Sequence, residues 1–81
     1  MSDISRLKII ITGAVQGVGF RPYVYRLAKE CDLAGFVQNM VSGVHIEIEG
    51  TDASINHFLL QLDDKKPPQA IIYSMEKTYL D

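Results

Sequence analysis

Val44-His45-Ile46-Glu47-Ile48-Glu49 alternates apolar and polar residues without a break, the pattern of a strand with one buried and one wet face. Its flanks fix what it pairs with. Upstream, Ser42-Gly43 predicts a hairpin turn, and residues 36–40 are rich enough in β-formers to supply the partner strand. Downstream, Thr51 or Asp52 can cap a helix, because a short side-chain oxygen satisfies a free amide of the first turn. Ile55, Phe58, Leu59 and Leu62 then recur at helical spacing, and this helix should end near Asp63. Pro67-Pro68 in the 63–69 linker cannot continue a helix, and residues 70–79 return to β-branched and aromatic types, predicting a last strand.

Toward the N-terminus, Leu7, Ile9 and Ile11 alternate with Lys8 and Thr12, predicting a first strand over 7–12. A glycine-rich segment, 13–19, separates it from Pro22, a residue suited to a helix N1 position. Val24, Leu27, Ala28 and Cys31 follow at i, i+3, i+4, i+7 spacing, so a helix is predicted over 22–32, with Gly35 as its stop. The order is βαββαβ, two split βαβ units. That order predicts an α+β, ferredoxin-like sandwich, one antiparallel sheet covered on one face by two helices. No linker divides residues 1–81, so a single domain is expected.

Composition excludes several classes of function. The chain carries a formal charge of -2 and scatters its eight basic residues, which gives nucleic acid no electrostatic footprint. Apolar stretches run for a few residues against the roughly 20 needed to span a bilayer, and residues 1–8 lack a signal-peptide core, so no membrane partner is expected. Cys31 stands alone, which rules out an internal disulfide and a multi-cysteine zinc cage and suits a reducing compartment, with the cytoplasm as default.

Chemistry concentrates in Gly13-Ala14-Val15-Gln16-Gly17-Val18-Gly19-Phe20-Arg21, between a strand and a helix start. Such a turn on its own is more often a tight connection than a ligand site. Glycines, however, let successive amides approach an anion, and a helix N-terminus adds orphan N–H groups and a favourable dipole. Arg21 at the helix entrance brings a planar fork of donors for two phosphate oxygens. The loop lacks the Lys-Ser/Thr of a nucleotide P-loop and the third glycine of a dinucleotide fingerprint. A right-handed crossover makes the first two strands parallel, which brings Asn39 to the same sheet end, where its carboxamide could hold a nucleophilic water. Alone, Asn39 reads as a turn-favouring residue. His45 and His57 read as solvated surface, Cys31 as a small core residue, Glu47 and Glu49 as a wet strand face, and the tyrosines as cover for apolar surface.

Val15-Gln16-Gly17-Val18-Gly19-Phe20-Arg21 followed by Gly35-Phe36-Val37-Gln38-Asn39 resembles the acylphosphatase family signature over nearly the whole chain. The resemblance implies acyl phosphate hydrolysis, with Arg21 binding the phosphate and Asn39 orienting the attacking water as the catalytic pair. It also implies a substrate cradle of Val15, Gln16, Gly17, Val18, Gly19, Phe20 and Arg21, with no cofactor and no metal in this domain. Arg21-Pro22-Tyr23-Val24, Pro67-Pro68 before Ala70-Ile71, and a short turn from Asn39 to Val44 are similar to the first module of the hydrogenase-maturation carbamoyltransferases. That likeness implies carbamoyl phosphate as substrate. ATP and zinc would belong to further domains, and hydrogenase maturation proteins would be partners. Against that family, residues 1–81 read as a fragment lacking a final short strand, with an edge open to pairing between chains. A free-standing acylphosphatase and a phosphate-binding or interaction module without turnover are the alternatives.

Overall fold

The computed structural model describes residues 4–80; Met1, Ser2, Asp3 and Asp81, which the single-domain expectation included, lie outside them. Six elements follow in the predicted order: β1 (Ile4–Ala14), α1 (Phe20–Glu30), β2 (Ala34–Met40), β3 (Gly43–Thr51), α2 (Asp52–Asp64) and β4 (Ile71–Leu80). The four strands form one antiparallel sheet in the order β2-β3-β1-β4. Both helices pack on one face, giving the expected ferredoxin-like α+β sandwich.

The alternation of β1 and β3 makes the core. Leu7, Ile9 and Ile11 pair with Ile48, Ile46 and Val44 across the ladder, and all six are buried on the helix-covered face. Phe20, Val24 and Leu27 of α1 and Ile55, Phe58 and Leu62 of α2 close over them. Each such side chain contributes about 1.5–3 kcal/mol by leaving water, which is why two short helices and four strands suffice. Thr51 caps α2 through its hydroxyl, which accepts from the Ser54 amide at 3.1 Å.

Three local readings are corrected. Helix α1 starts at Phe20, so Pro22 is its third residue and not its first; Phe20 and Tyr23 extend the apolar stripe back one turn and reward the longer helix. It ends at Glu30, and Asp32 in the left-handed region (φ 61°) turns the chain, not Gly35. Gly35 lies within β2, where a Cβ would sit 1.9 Å from the Glu47 carbonyl oxygen. The hairpin turn is Val41-Ser42, because Gly43 already pairs with Met40.

The wet face of the sheet is not simply solvated. The Arg6 guanidinium, on β1, donates to Glu47 and Glu49 of β3 at 3.0 and 2.9 Å, and His45 Nε2 lies 3.0 Å from the second Glu47 oxygen. Burial pushes the Glu47 carboxyl upward, but hydrogen bonds from Arg6 and His45 outweigh it and leave the group below its ordinary value. His45, expected on the open surface, is half-buried, with its ring 5.4 Å from that of Phe36. Tyr23 is also more than surface cover: its hydroxyl donates to the Gln61 and Leu62 carbonyls at 2.9 and 2.8 Å, tying α1 to the last turn of α2.

Candidate functional site

The site begins where β1 loses register with β4. Thr12 pairs with Ser74 but Gly13 pairs with Ile72, so Tyr73 is the extra residue of a bulge. Gly13 makes this possible, since a Cβ there would lie 2.1 Å from the Ile71 carbonyl oxygen. Past the bulge the chain leaves the sheet as a loop, and its apolar residues hold it down. Val15 and Phe20 are each 1% exposed and Val18 packs against the same core. Of the seven residues read as a substrate cradle, these three therefore place their side chains inward and have only backbone to offer a ligand.

Gly17 and Gly19 both adopt positive φ, 74° and 80°, with nothing within 4 Å of where a Cβ would stand. Conformation, not crowding, is what requires glycine there. Gly19 is also the N-cap of α1; it offers no side-chain cap, and the first turn of the helix has no acidic residue. Among the described residues, no turn, loop or cap hydrogen bond is donated by the amides of Val15, Gln16, Gly17, Val18, Gly19 or Phe20. A run of free donors at the positive end of a helix is an anion-binding arrangement.

Gln16 does something its sequence position did not reveal. Its side-chain amide donates to the Met40 carbonyl and, at 3.1 Å, to that of Gly43, while the Gly13 amide donates to Ser42 at 3.2 Å. The loop is thereby fastened to the β2–β3 hairpin, one strand end laid against the other. Asn39, paired with the buried Val44, points to the helix-covered side of β2. The result is a hollow of about 200 Å³ whose walls include Gln16, Gly17, Gly19, Arg21 and Asn39, backed by Val15, Phe20 and Pro22. Arg21 and Asn39, 18 positions apart in sequence, meet here.

Other features of the described residues differ in chemistry. The hollow between α1 and β2, about 290 Å³, is bounded mainly by apolar residues, Val24, Ala28, Leu33, Phe36 and Ile46 among them, with Tyr25 and Lys29 at its wall. His45 and Glu47 belong to the opposite face of the sheet. Cys31 is buried, and burial, aided by Glu30, pushes its thiol up, away from reactivity. Among the described residues no group of three or more His, Cys, Asp or Glu is placed to hold a metal, and no helix is long and apolar enough to cross a membrane.

An αβ sandwich with a loop of uncommitted amides between its first strand and helix, and an arginine and an asparagine lining one hollow beside it, defines a class, and comparison with known proteins names it. The acylphosphatase family matches residues 7–81, and the chain belongs to that family. Within it, the chain matches the acylphosphatase-like N-terminal domain of HypF carbamoyltransferases. It is 52% identical over 75 residues to carbamoyltransferase HypF of Rhizobium leguminosarum bv. viciae, covering 93% of this chain and 10% of that protein. The acylphosphatase of Thermotoga maritima is 43% identical over 75 residues, covering 89% of this chain and 82% of that one. The crystal structure of full-length HypF in its phosphate- and nucleotide-bound form superposes with a TM-score of 0.93 at 36% identity, over 96% of this chain and 10% of that one. The chain thus spans about a tenth of the HypF proteins it matches.

Proposed function

We propose that this domain binds and hydrolyses an acyl phosphate, with carbamoyl phosphate as its substrate, and that it is the first module of a carbamoyltransferase of [NiFe] hydrogenase maturation. The observation that carries this reading is the single hollow shared by the uncommitted loop amides, Arg21 and Asn39. Free amides around Gly17 and Gly19 receive the phosphoryl oxygens, and Arg21 contacts two of them through its guanidinium fork. Charge on those oxygens is held by fixed dipoles that need no rearrangement as the reaction proceeds. The Asn39 side-chain oxygen accepts from a water and sets its lone pair in line with phosphorus.

Water oxygen forms the new P–O bond as the bond from phosphorus to the acyl oxygen breaks. The electron pair leaves with the carboxylate, carbamate when the substrate is carbamoyl phosphate; one water proton stays on the phosphate and the other passes to solvent. A carboxylate leaves easily, so neither a strong base nor a metal nor another cofactor is required of this domain. ATP and zinc would serve other domains of a full-length protein. The match to compact acylphosphatases, which the chain covers over four-fifths of their length, supports hydrolysis by the domain on its own as a second reading.

Colorimetric release of phosphate from carbamoyl phosphate tests this. Arg21→Ala should lower kcat/KM by about 100-fold or more, the usual loss when a transition-state charge contact is removed. Asn39→Ala should abolish turnover while inorganic phosphate still binds. Turnover unchanged in either variant rejects the assigned role.

A further inference from the structure

β4 closes one edge of the sheet, so along its outer side a row of backbone N–H and C=O groups meets no strand among the described residues. Its Met75, Lys77 and Tyr79 stand opposite the buried Ile11, Ile9 and Leu7 and so face the helix side. The helices, however, pack over β1, β2 and β3. Tyr79 is left 57% exposed and Tyr73 73%. Residues 71–80 contain no proline, and their only charges are Glu76 and Lys77. Among the described residues neither takes part in an ion pair. An edge of this kind is a template for another strand.

The strand that fits is β4 itself. Residues directly opposite in an antiparallel ladder lie on one face of the sheet, so a twofold pairing of β4 with a second copy must be centred on a residue and not between two. Centred on Glu76 or on Lys77, it sets like charges against each other, which destabilises the pair. Centred on Thr78 it faces Glu76 with Leu80, and centred on Ser74 it faces Glu76 with Ile72 and runs into the bulge at Tyr73. Centred on Met75, every group finds a compatible neighbour. Glu76 meets Ser74 of the second copy, whose hydroxyl can donate to it, Lys77 meets the Tyr73 ring, and Met75 meets itself. The ladder then runs from Tyr73 to Lys77 on each strand, and the bulge ends it. The other edge, β2, is unsuited to the same symmetry: α1 sets Arg21, Arg26 and Lys29 around the hollows beside it, and a twofold pairing there would bring two basic rows together.

We propose that the outer edge of β4 is an interface for a second copy of this chain, paired antiparallel about a twofold axis at Met75. The two four-stranded sheets then join into one, with both pairs of helices on the same side. Five residues of ladder on each strand make a small contact, so the dimer is weak and reversible, half formed at a concentration on the order of 0.1 mM. The interface stands apart from the phosphate reading of the loop and does not depend on it.

Sedimentation equilibrium of the 81-residue chain, from about 10 μM to about 1 mM, should show a shift from one chain's mass toward two. Ser74 is exposed and lies opposite Glu76 of the second copy in the proposed register, so its charge sets the sign of the response. Ser74→Lys should tighten the dimer severalfold and Ser74→Glu should loosen it by a similar factor; circular dichroism checks that both keep the fold. Register is read by oxidative cross-linking. Met75→Cys should form a disulfide dimer, since the twofold places its two copies about 4.5–5.5 Å apart at Cα. Thr78→Cys should not, because its copies would lie about 20 Å apart along the ladder. The natural Cys31 is buried and common to both variants. A chain that stays monomeric at every concentration, or a dimer that both Ser74 variants leave unchanged, overturns the interface. Cross-linking that favours Thr78→Cys over Met75→Cys overturns the register.

Discussion

Gly17 and Gly13 are held to glycine by different forces, and the two predict different failures. At Gly17 a methyl group would meet no neighbour, but its left-handed backbone costs an L-residue about 1–2 kcal/mol. Gly17→Ala should therefore stay folded, lose about that much stability in urea, and bind phosphate more weakly because the new methyl group enters the hollow. Unchanged phosphate affinity would show that the hollow is not the anion site. Gly13→Ala pushes a Cβ into the Ile71 carbonyl and should unfold far more readily. Tyr23 acts through its proton. Burial first, and then Asp63 and Asp64, raise its pKa to about 12, against about 10 in an unfolded chain. The folded state thus keeps a proton that the unfolded state loses, so stability is full below about pH 10 and falls as pH rises through about 12. Alkaline melts of Tyr23→Phe should lack this loss, although the variant starts about 1 kcal/mol less stable for want of its hydrogen bonds.

At the scale of elements, the loop and the β2–β3 hairpin behave as one unit through Gln16. Gln16→Ala removes both bonds to the hairpin. Faster amide exchange in Val41 and Ser42 is expected, with turnover reduced through kcat while phosphate affinity holds, because the amides stay and Asn39 drifts. Equal loss in kcat and phosphate affinity would assign Gln16 to the ligand itself. Much of this level was readable in the chain. Alternation over Val44 to Glu49 placed the half-buried strand, and the spacing of Ile55, Phe58 and Leu62 placed α2. Boundaries of α1 were misread because proline signals a first turn without specifying which residue of it, and only packing shows that Phe20 belongs to the stripe. Gln16 was read as part of the substrate cradle, but its tie to the hairpin escaped notice because its partners are backbone carbonyls 24 and 27 positions away, which leave no mark on residue type.

For the molecule as a whole, the open sheet face sets the response to acid. Glu47 titrates below its unfolded value, so its contribution is present above about pH 4.3 and is lost as pH falls through the lower, folded-state value. Arg6→Gln should flatten that part of an acid denaturation curve; an unaltered curve would show that the Arg6–Glu47–Glu49 cluster does not stabilise the fold. The cluster was invisible beforehand because it depends on register: Arg6 stands opposite Glu49 only once β1 and β3 are aligned. The meeting of Arg21 and Asn39 was anticipated from chain topology because a crossover connection has one hand.

Val15 and Phe20 anchor the loop from beneath, so the cradle cannot come apart without exposing core. Whatever occupies it becomes a clamp on the entire domain: at a ligand concentration 100 times Kd, unfolding is opposed by about 2.7 kcal/mol more than in the empty protein. By this route a bound ligand would slow proteolysis of the domain, an effect on abundance that owes nothing to turnover.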